Sequence, residues 1–111
     1  MSDLHAIHPA ERPRIRITSL EDVSTCLGEA LGRHGLIIEE TQLSDAFFDL
    51  RTGIAGELFQ KFTTYNLKLA VIVARPSDHG ARFSELSYEH RTHPHIRIVT
   101  THLAAKEWIT G

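Results

Sequence analysis

The stretch FFDLRTGIAGELFQKFTTY, Phe47–Tyr65, contains a helix and the turn that launches it. Ile54, Leu58 and Phe62 recur every four residues, flanked by Ala55, Phe59 and Tyr65, so one side of the segment is apolar at helical period. Thr52 stands where an N-cap is wanted, and Asn66 tolerates the left-handed turn that ends a helix. Phe47, Phe48 and Leu50 fall in a brief turn that Ser44 can cap. Directly downstream, KLAVIVA (Lys68–Ala74) is apolar after its first residue, as in a strand covered on both faces. An amphipathic helix running into a strand buried on both faces is the signature of an α/β domain.

The flanks extend this pattern. Upstream, Leu36–Ile38 is a short apolar strand with Glu39–Gln42 as its polar exit. Before it, Leu20, Val23, Leu27, Ala30 and Leu31 share a helical face. Ser19 is its cap, with Asp22 three residues on and Glu21 placed likewise after Thr18, and Gly32 or Gly35 is its stop. Arg14–Thr18 alternates charged and β-branched residues, which suits a strand. Residues 1–13 form a polar segment broken by Pro9 and Pro13, either a mobile arm or an edge strand over Leu4–Ile7. Downstream, Arg75–Ala81 reads as a loop and Arg82–His90 as a helix with Phe83 and Leu86 inward. Pro94 precedes the last strand, Ile96–Thr100. Thr101 then caps a terminal helix expected to present Leu103, Ala104 and Trp108 to the core. The order β-α-β-α-β-α-β-α predicts one α/β domain over residues 14–111. Its sheet should be mostly parallel or mixed, with four strands, or five if Leu4–Ile7 joins, and helices packed on it.

Composition bounds the function. The chain has 111 residues, enough for one modest core, and its 12 Lys and Arg are scattered among 14 acids for a net charge of −2. That balance disfavours a nucleic-acid binder, which needs a basic stripe. One cysteine rules out an internal disulfide. The start MSDLHAIHPAERPRIR lacks the basic and apolar regions of a secretory signal, and the apolar run Leu69–Ala74 is too short to cross a bilayer, so a cytoplasmic location without membrane contact is expected.

Asp49-Leu50-Arg51-Thr52-Gly53 is the strongest local candidate for a site. It leads into a helix whose first N–H groups lack partners, Gly53 permits close approach of backbone, and Arg51 offers a bidentate contact to a phosphate or carboxylate. The plainer reading is that Thr52 caps the helix while Asp49 pairs with Arg51 or a loop amide. Glu57, Gln60 and Lys61 occupy the polar side of the same helix. Glu57 four residues before Lys61 fits an ordinary intrahelical ion pair, worth roughly 0.2–0.5 kcal/mol. The sharper reading, Glu57 as acid or base, lacks a visible partner. Gly56 among larger neighbours suggests close packing against another element, in this chain or in a second subunit.

Eight histidines invite a metal, with His90, His93 and His95 clustered and Glu89 or His79 as a further ligand. No HExxH or paired CxxC pattern supports it, so loop histidines are the simpler reading and no metal is assigned. Cys26 reads as a structural thiol. Ser44, Thr52 and Ser84 lack a GxSxG or SxxK context, and no GxxxxGK[ST] loop exists, so no hydrolase nucleophile and no cofactor are assigned.

The block Phe47–Val73 resembles a bacterial family of unknown function, the one numbered 4180, whose members carry FFDL-x-TG-hydrophobic-AGE-x-x-QKF-x-x-Y and then an apolar strand. Phe47, Phe48, Asp49, Leu50, Thr52, Gly53, Ala55, Gly56, Glu57, Gln60, Lys61, Phe62 and Tyr65 match, and Tyr88-Glu89 and Lys106-Glu107-Trp108 match more loosely. The chain departs where the family tends to follow the central strand with Gly-Asp (here Ala74-Arg75). It departs again where the family closes the Tyr-Glu helix with Asn and a Gly turn (here Arg91-Thr92-His93). The resemblance implies no reaction. The alternation of strands and helices is similar to small regulatory modules of the STAS type, an analogy of fold alone.

Two functions follow as expectations. The first is a binding or regulatory module for a protein partner, self-associating as a homodimer. The second is a small enzyme or small-molecule sensor with an anion site at Thr52-Gly53 and a pocket at the carboxyl ends of the strands.

Overall fold

The computed structural model describes residues 16–33 and 35–111. Three strands, β1 (Gly35–Glu39), β2 (Lys68–Ile72) and β3 (Ile96–Val99), form a parallel sheet in the order β1-β2-β3. Among the described residues five helices accompany it: α1 (Glu21–Ala30), α2 (Asp45–Phe48), α3 (Ile54–Thr64), α4 (Ala81–Glu89) and α5 (His102–Thr110). Short 3-10 turns at Glu40–Gln42, Leu50–Thr52 and Pro76–His79 link them.

The register sets Leu36, Leu69 and Ile96 side by side, and Ile38, Val71 and Ile98 likewise, so one sheet face is continuously apolar. Helices α1 to α4 pack on this face through Val23, Cys26, Phe47, Phe48, Leu58, Phe62 and Phe83. Both crossovers, through α3 and α4, lie on one side, as right-handed βαβ units stepping in one direction require. Among the described residues, the other face, with Ile37 and Ala70, is covered by α5.

The caps follow the local chemistry. Ser44 accepts the Phe47 N–H at 3.4 Å and donates to the Ile17 carbonyl at 3.1 Å. Thr101 accepts the Ala104 N–H at 3.1 Å. Helix α3 ends in a Schellman turn, with Leu67 N–H on the Phe62 carbonyl, Asn66 N–H on the Thr63 carbonyl and Asn66 at φ 58. Asp22 reaches back to the N–H groups of Thr18 and Ser19. Gly32, at φ 84, stops α1, whereas Gly35 belongs to β1.

Several expectations need correction. The described residues form a three-stranded sheet, and Arg16–Thr18 adds only a single parallel bridge, Ile17 to Leu43, in place of a ladder. Leu4–Ile7 and the arm over residues 1–13 lie outside the described residues. In α5 it is Ala105 and Ile109 that are buried, with Leu103 65% exposed and Trp108 at the flank. Leu20 and Leu31, which flank α1, are exposed, while Cys26 within it is fully covered. The N-cap of α3 is Gly53 at φ 80. The Thr52 hydroxyl instead donates toward the Ala46 and Asp49 carbonyls at 2.7 and 2.9 Å, and only weakly accepts the Ile54 N–H at 3.4 Å. Gly56 is exposed, and a Cβ there would meet nothing within 4 Å, so no element of the described chain packs closely on it.

Candidate functional site

Open α/β sheets bind ligands beyond the carboxyl ends of their strands. Here that end holds a cleft of about 980 Å³ between α2 with the Leu50–Thr52 turn and the segment Asp78–Phe83 that begins α4. Asp45, Phe48, Asp49, Leu50 and Arg51 form one wall, and Asp78, His79, Gly80, Arg82 and Phe83 the other. A second hollow lies on the surface of α4 alone, between Ser84 and Glu89, and no other element converges on it.

The floor of the cleft is aromatic. The His79 imidazole stacks on Phe48 with ring centres 3.6 Å apart and planes within 6°, and Phe83 meets both rings edge-on. Glu40, in the turn just after β1, fixes this imidazole: its Oε2 lies 2.5 Å from His79 Nε2. The other carboxylate oxygen of Glu40 accepts the Ala74 N–H at 3.3 Å, just past β2. One carboxylate therefore joins the exits of two neighbouring strands and orients a histidine between two phenyl rings. A carboxylate on one imidazole nitrogen sets its tautomer and leaves the other nitrogen for a ligand. The preceding residue, Glu39, projects to the opposite side of the sheet, where its carboxylate lies 3.0 Å from His102 Nε2 at the start of α5.

The residues singled out in the sequence divide into two groups. Asp49 and Arg51 line the cleft, paired with each other: Arg51 Nε and Nη2 each donate at 3.0 Å to the two Asp49 oxygens, and the Arg51 N–H adds a third bond. The Arg51 guanidinium, then its backbone N–H, hold the Asp49 carboxyl below the usual carboxylate range. The guanidinium is thus paired with Asp49 beside the anion site expected at Thr52-Gly53. Those two residues sit behind the Asp49–Arg51 pair and are not among the lining residues. Glu57, Gln60 and Lys61 lie further along α3, away from the cleft, where Glu57 and Lys61 form the ordinary pair at 3.7 Å.

The structure adds Glu40, His79 and Arg82, which sequence reasoning did not place in this site. A signal for Glu40 existed, since a charged pair directly after the apolar run Leu36–Ile38 marks the carboxyl end of a strand. His79 lay in a loop with nothing local to separate it from seven other histidines.

His90, His93 and His95 do come together at the opposite, amino-terminal end of the sheet. Among the described residues, no group of three or more His, Cys, Asp or Glu side chains is arranged to hold a metal ion. Cys26 is sealed in the core, and burial, with Glu29 nearby, pushes its thiol up to about 12, which removes it as a nucleophile. No helix among the described residues is long and apolar enough to cross a membrane.

No curated protein and no solved structure matches the chain. The family model described as Domain of unknown function (DUF4180) matches residues 5–109, and the chain belongs to that family.

Proposed function

We propose that the chain is a small binding or regulatory module whose ligand seats in the cleft between α2 and the start of α4. The observation that carries this reading is the Glu40–His79 pair, held on an aromatic floor where two adjacent strands end. A solvated loop histidine does not need a carboxylate on its nitrogen, a phenyl ring against its face and a third ring at its edge. The cleft offers both signs of charge, Asp45 and Asp78 against Arg82, which suits a small ligand carrying complementary polar groups around a flat or apolar centre. The regulatory part of the reading leans on the STAS-like alternation of elements, and the cytoplasmic setting on composition. No reaction is proposed.

The test is thermal stability in the presence of glucose 6-phosphate, glutamate and spermidine, three probes of different charge. A ligand bound at 100 times its Kd stabilises a fold by about 2.7 kcal/mol. At least one probe should raise the wild-type midpoint, and His79→Ala should abolish that rise. A rise that persists in the variant places the ligand elsewhere.

The second reading is self-association, or docking of a protein partner, through the exposed side of α3 that carries Gly56, Gln60 and Lys61. It is favoured by Gly56 itself. A glycine inside a helix is less stable than alanine by roughly 0.5–1 kcal/mol, and no described residue approaches this one. If the chain acts alone, Gly56→Ala should raise its stability by about that amount. If this face is a homodimer interface, the same substitution should shift the protein toward monomer, read by light scattering after size-exclusion chromatography. A monomeric wild type whose only response is higher stability excludes the dimer.

A further inference from the structure

We propose that His93 is an acid-sensitive latch that fastens the loop before β3 and releases it when protonated. The loop runs from His90, at the end of α4, to His95, whose carbonyl accepts the Leu69 N–H of β2 at 2.8 Å. His93 Nδ1 accepts two backbone N–H groups at once, those of His95 and Ile96, each at 3.0 Å. Both donors are amides, so Nδ1 must carry a lone pair, and the neutral ring holds its proton on Nε2. The side chain thus acts as an Asx-type acceptor for the first residues of β3, built from a group that titrates. A proton on Nδ1 would face two N–H donors and end both bonds together.

The surroundings amplify the change. His90 stacks on His93 with centres 5.0 Å apart, and His95 meets it edge-on at 6.2 Å. Arg97, on β3, donates from Nε to the His93 carbonyl at 3.1 Å. Neutral groups also touch the cluster: Phe59 of α3 lies against His90, the Leu86 carbonyl lies 2.9 Å from His90 Nδ1, and Asn66 Oδ1 lies 3.1 Å from His95 Nε2. Among the described residues, the titratable and charged groups bearing on His93 are His90, His95 and Arg97, all of them cationic when protonated. His95 Nδ1 is itself buried with no hydrogen-bond partner among the described residues.

Burial, then these three neighbours, push the His93 imidazole below its usual 6.5. The unfolded chain therefore takes up the proton more readily than the folded one. The latch contributes its full stability above about pH 6.5 and loses it as pH falls through the lower, folded value. The Nδ1 geometry also bears on metal binding. To ligate through Nε2, His93 would have to move its ring proton to Nδ1 and break both backbone bonds.

Amide hydrogen exchange tests the latch. Between about pH 7.5 and about pH 5.5, protection of His95 and Ile96, corrected for intrinsic exchange, should fall by on the order of tenfold while Val71 in the centre of β2 changes little. His93→Asn keeps an acceptor for the same two amides but does not titrate, so its protection should hold across that range. Equal loss in the variant, or parallel loss at Val71, overturns the proposal. The ring nitrogen shifts of the wild type give a check that does not depend on the variant folding. At neutral pH His93 must appear as the Nε2–H tautomer, and an Nδ1–H tautomer overturns the latch.

Discussion

Phe47→Ala should cost about 3–5 kcal/mol of stability, among the largest losses expected from a single truncation in this domain. Phe47 is wholly buried. Its ring meets Phe48 edge-on at 5.4 Å and Phe59 at 6.3 Å, so it joins α2 to α3. Removing it leaves a cavity under a helix of one turn, whose other apolar anchor is Phe48. For a domain of this size the loss is a large share of a total of roughly 5–15 kcal/mol, and should lower the melting midpoint by roughly 10–20 °C. Urea unfolding gives the value directly. Phe47→Leu, which conserves more volume, should lose much less. A Phe47→Ala variant within about 1 kcal/mol of wild type would mean that α2 is not anchored through this ring. Because Phe48 and Asp49 follow on the same short segment, the cleft wall should loosen with it.

Gly35→Ala should destabilise by about 1–3 kcal/mol, for a steric reason. Gly35 pairs with Lys68 at the start of the β1–β2 ladder. A Cβ at Gly35 would lie 2.6 Å from the Lys68 carbonyl oxygen and 3.0 Å from its Cβ. The obstructing oxygen is backbone and cannot swing aside like a flexible side-chain end. Relief requires β1 and β2 to separate, and β2 is held on its other edge by Leu69 N–H on the His95 carbonyl. The strain should therefore reach β3, visible as reduced exchange protection along Lys68–Ile72. Gly56→Ala, where a Cβ meets open space, should act in the opposite direction. A Gly35→Ala variant as stable as wild type would mean that the close approach at Gly35 is wrong.

What the sequence disclosed depended on how local the physics was. Helix α3, its Asn66 stop, strand β2 and the caps at Ser44 and Thr101 rest on contacts within a few residues, and each is readable from spacing and residue type. The inward face of α5 was not. Leu103, Ala104, Ala105, Trp108 and Ile109 offer overlapping apolar faces, and periodicity cannot choose among them. The sheet decides, because its second face presents the small Ala70, over which Ala105 and Ile109 can settle. Trp108 is then left to the flank, its ring beside Lys68 and Arg97. The first expected strand was only partly open to such reading. Alternation in Arg14–Thr18 is compatible with a strand, and of its described residues, Arg16–Thr18, Ile17 alone forms a bridge, to Leu43.

The candidate site was half legible. Asp49 and Arg51 were visible because they adjoin a helix start, and they line the cleft, although bound to each other. Glu40 and His79 are separated by 39 positions, and their meeting depends on β1 and β2 being neighbours in a parallel sheet. No short pattern encodes that. The family block Phe47–Tyr65 contributes one wall of the cleft through Phe48, Asp49, Leu50 and Arg51. Its polar continuation, Glu57, Gln60 and Lys61, belongs to the exposed side of α3. The centrality of the block is thus structural along its apolar face and, on the proposed reading, functional only at its beginning.

The most direct test of the cleft as the binding site is a map of backbone amide shifts by ¹⁵N NMR during titration with glucose 6-phosphate, glutamate and spermidine in turn. The binding reading requires that at least one probe produce saturable shifts concentrated at Phe48–Arg51 and Asp78–Phe83, and that His79→Ala remove them. Shifts gathered on Gly56–Thr63 instead, or no saturable shifts with any probe, would contradict it.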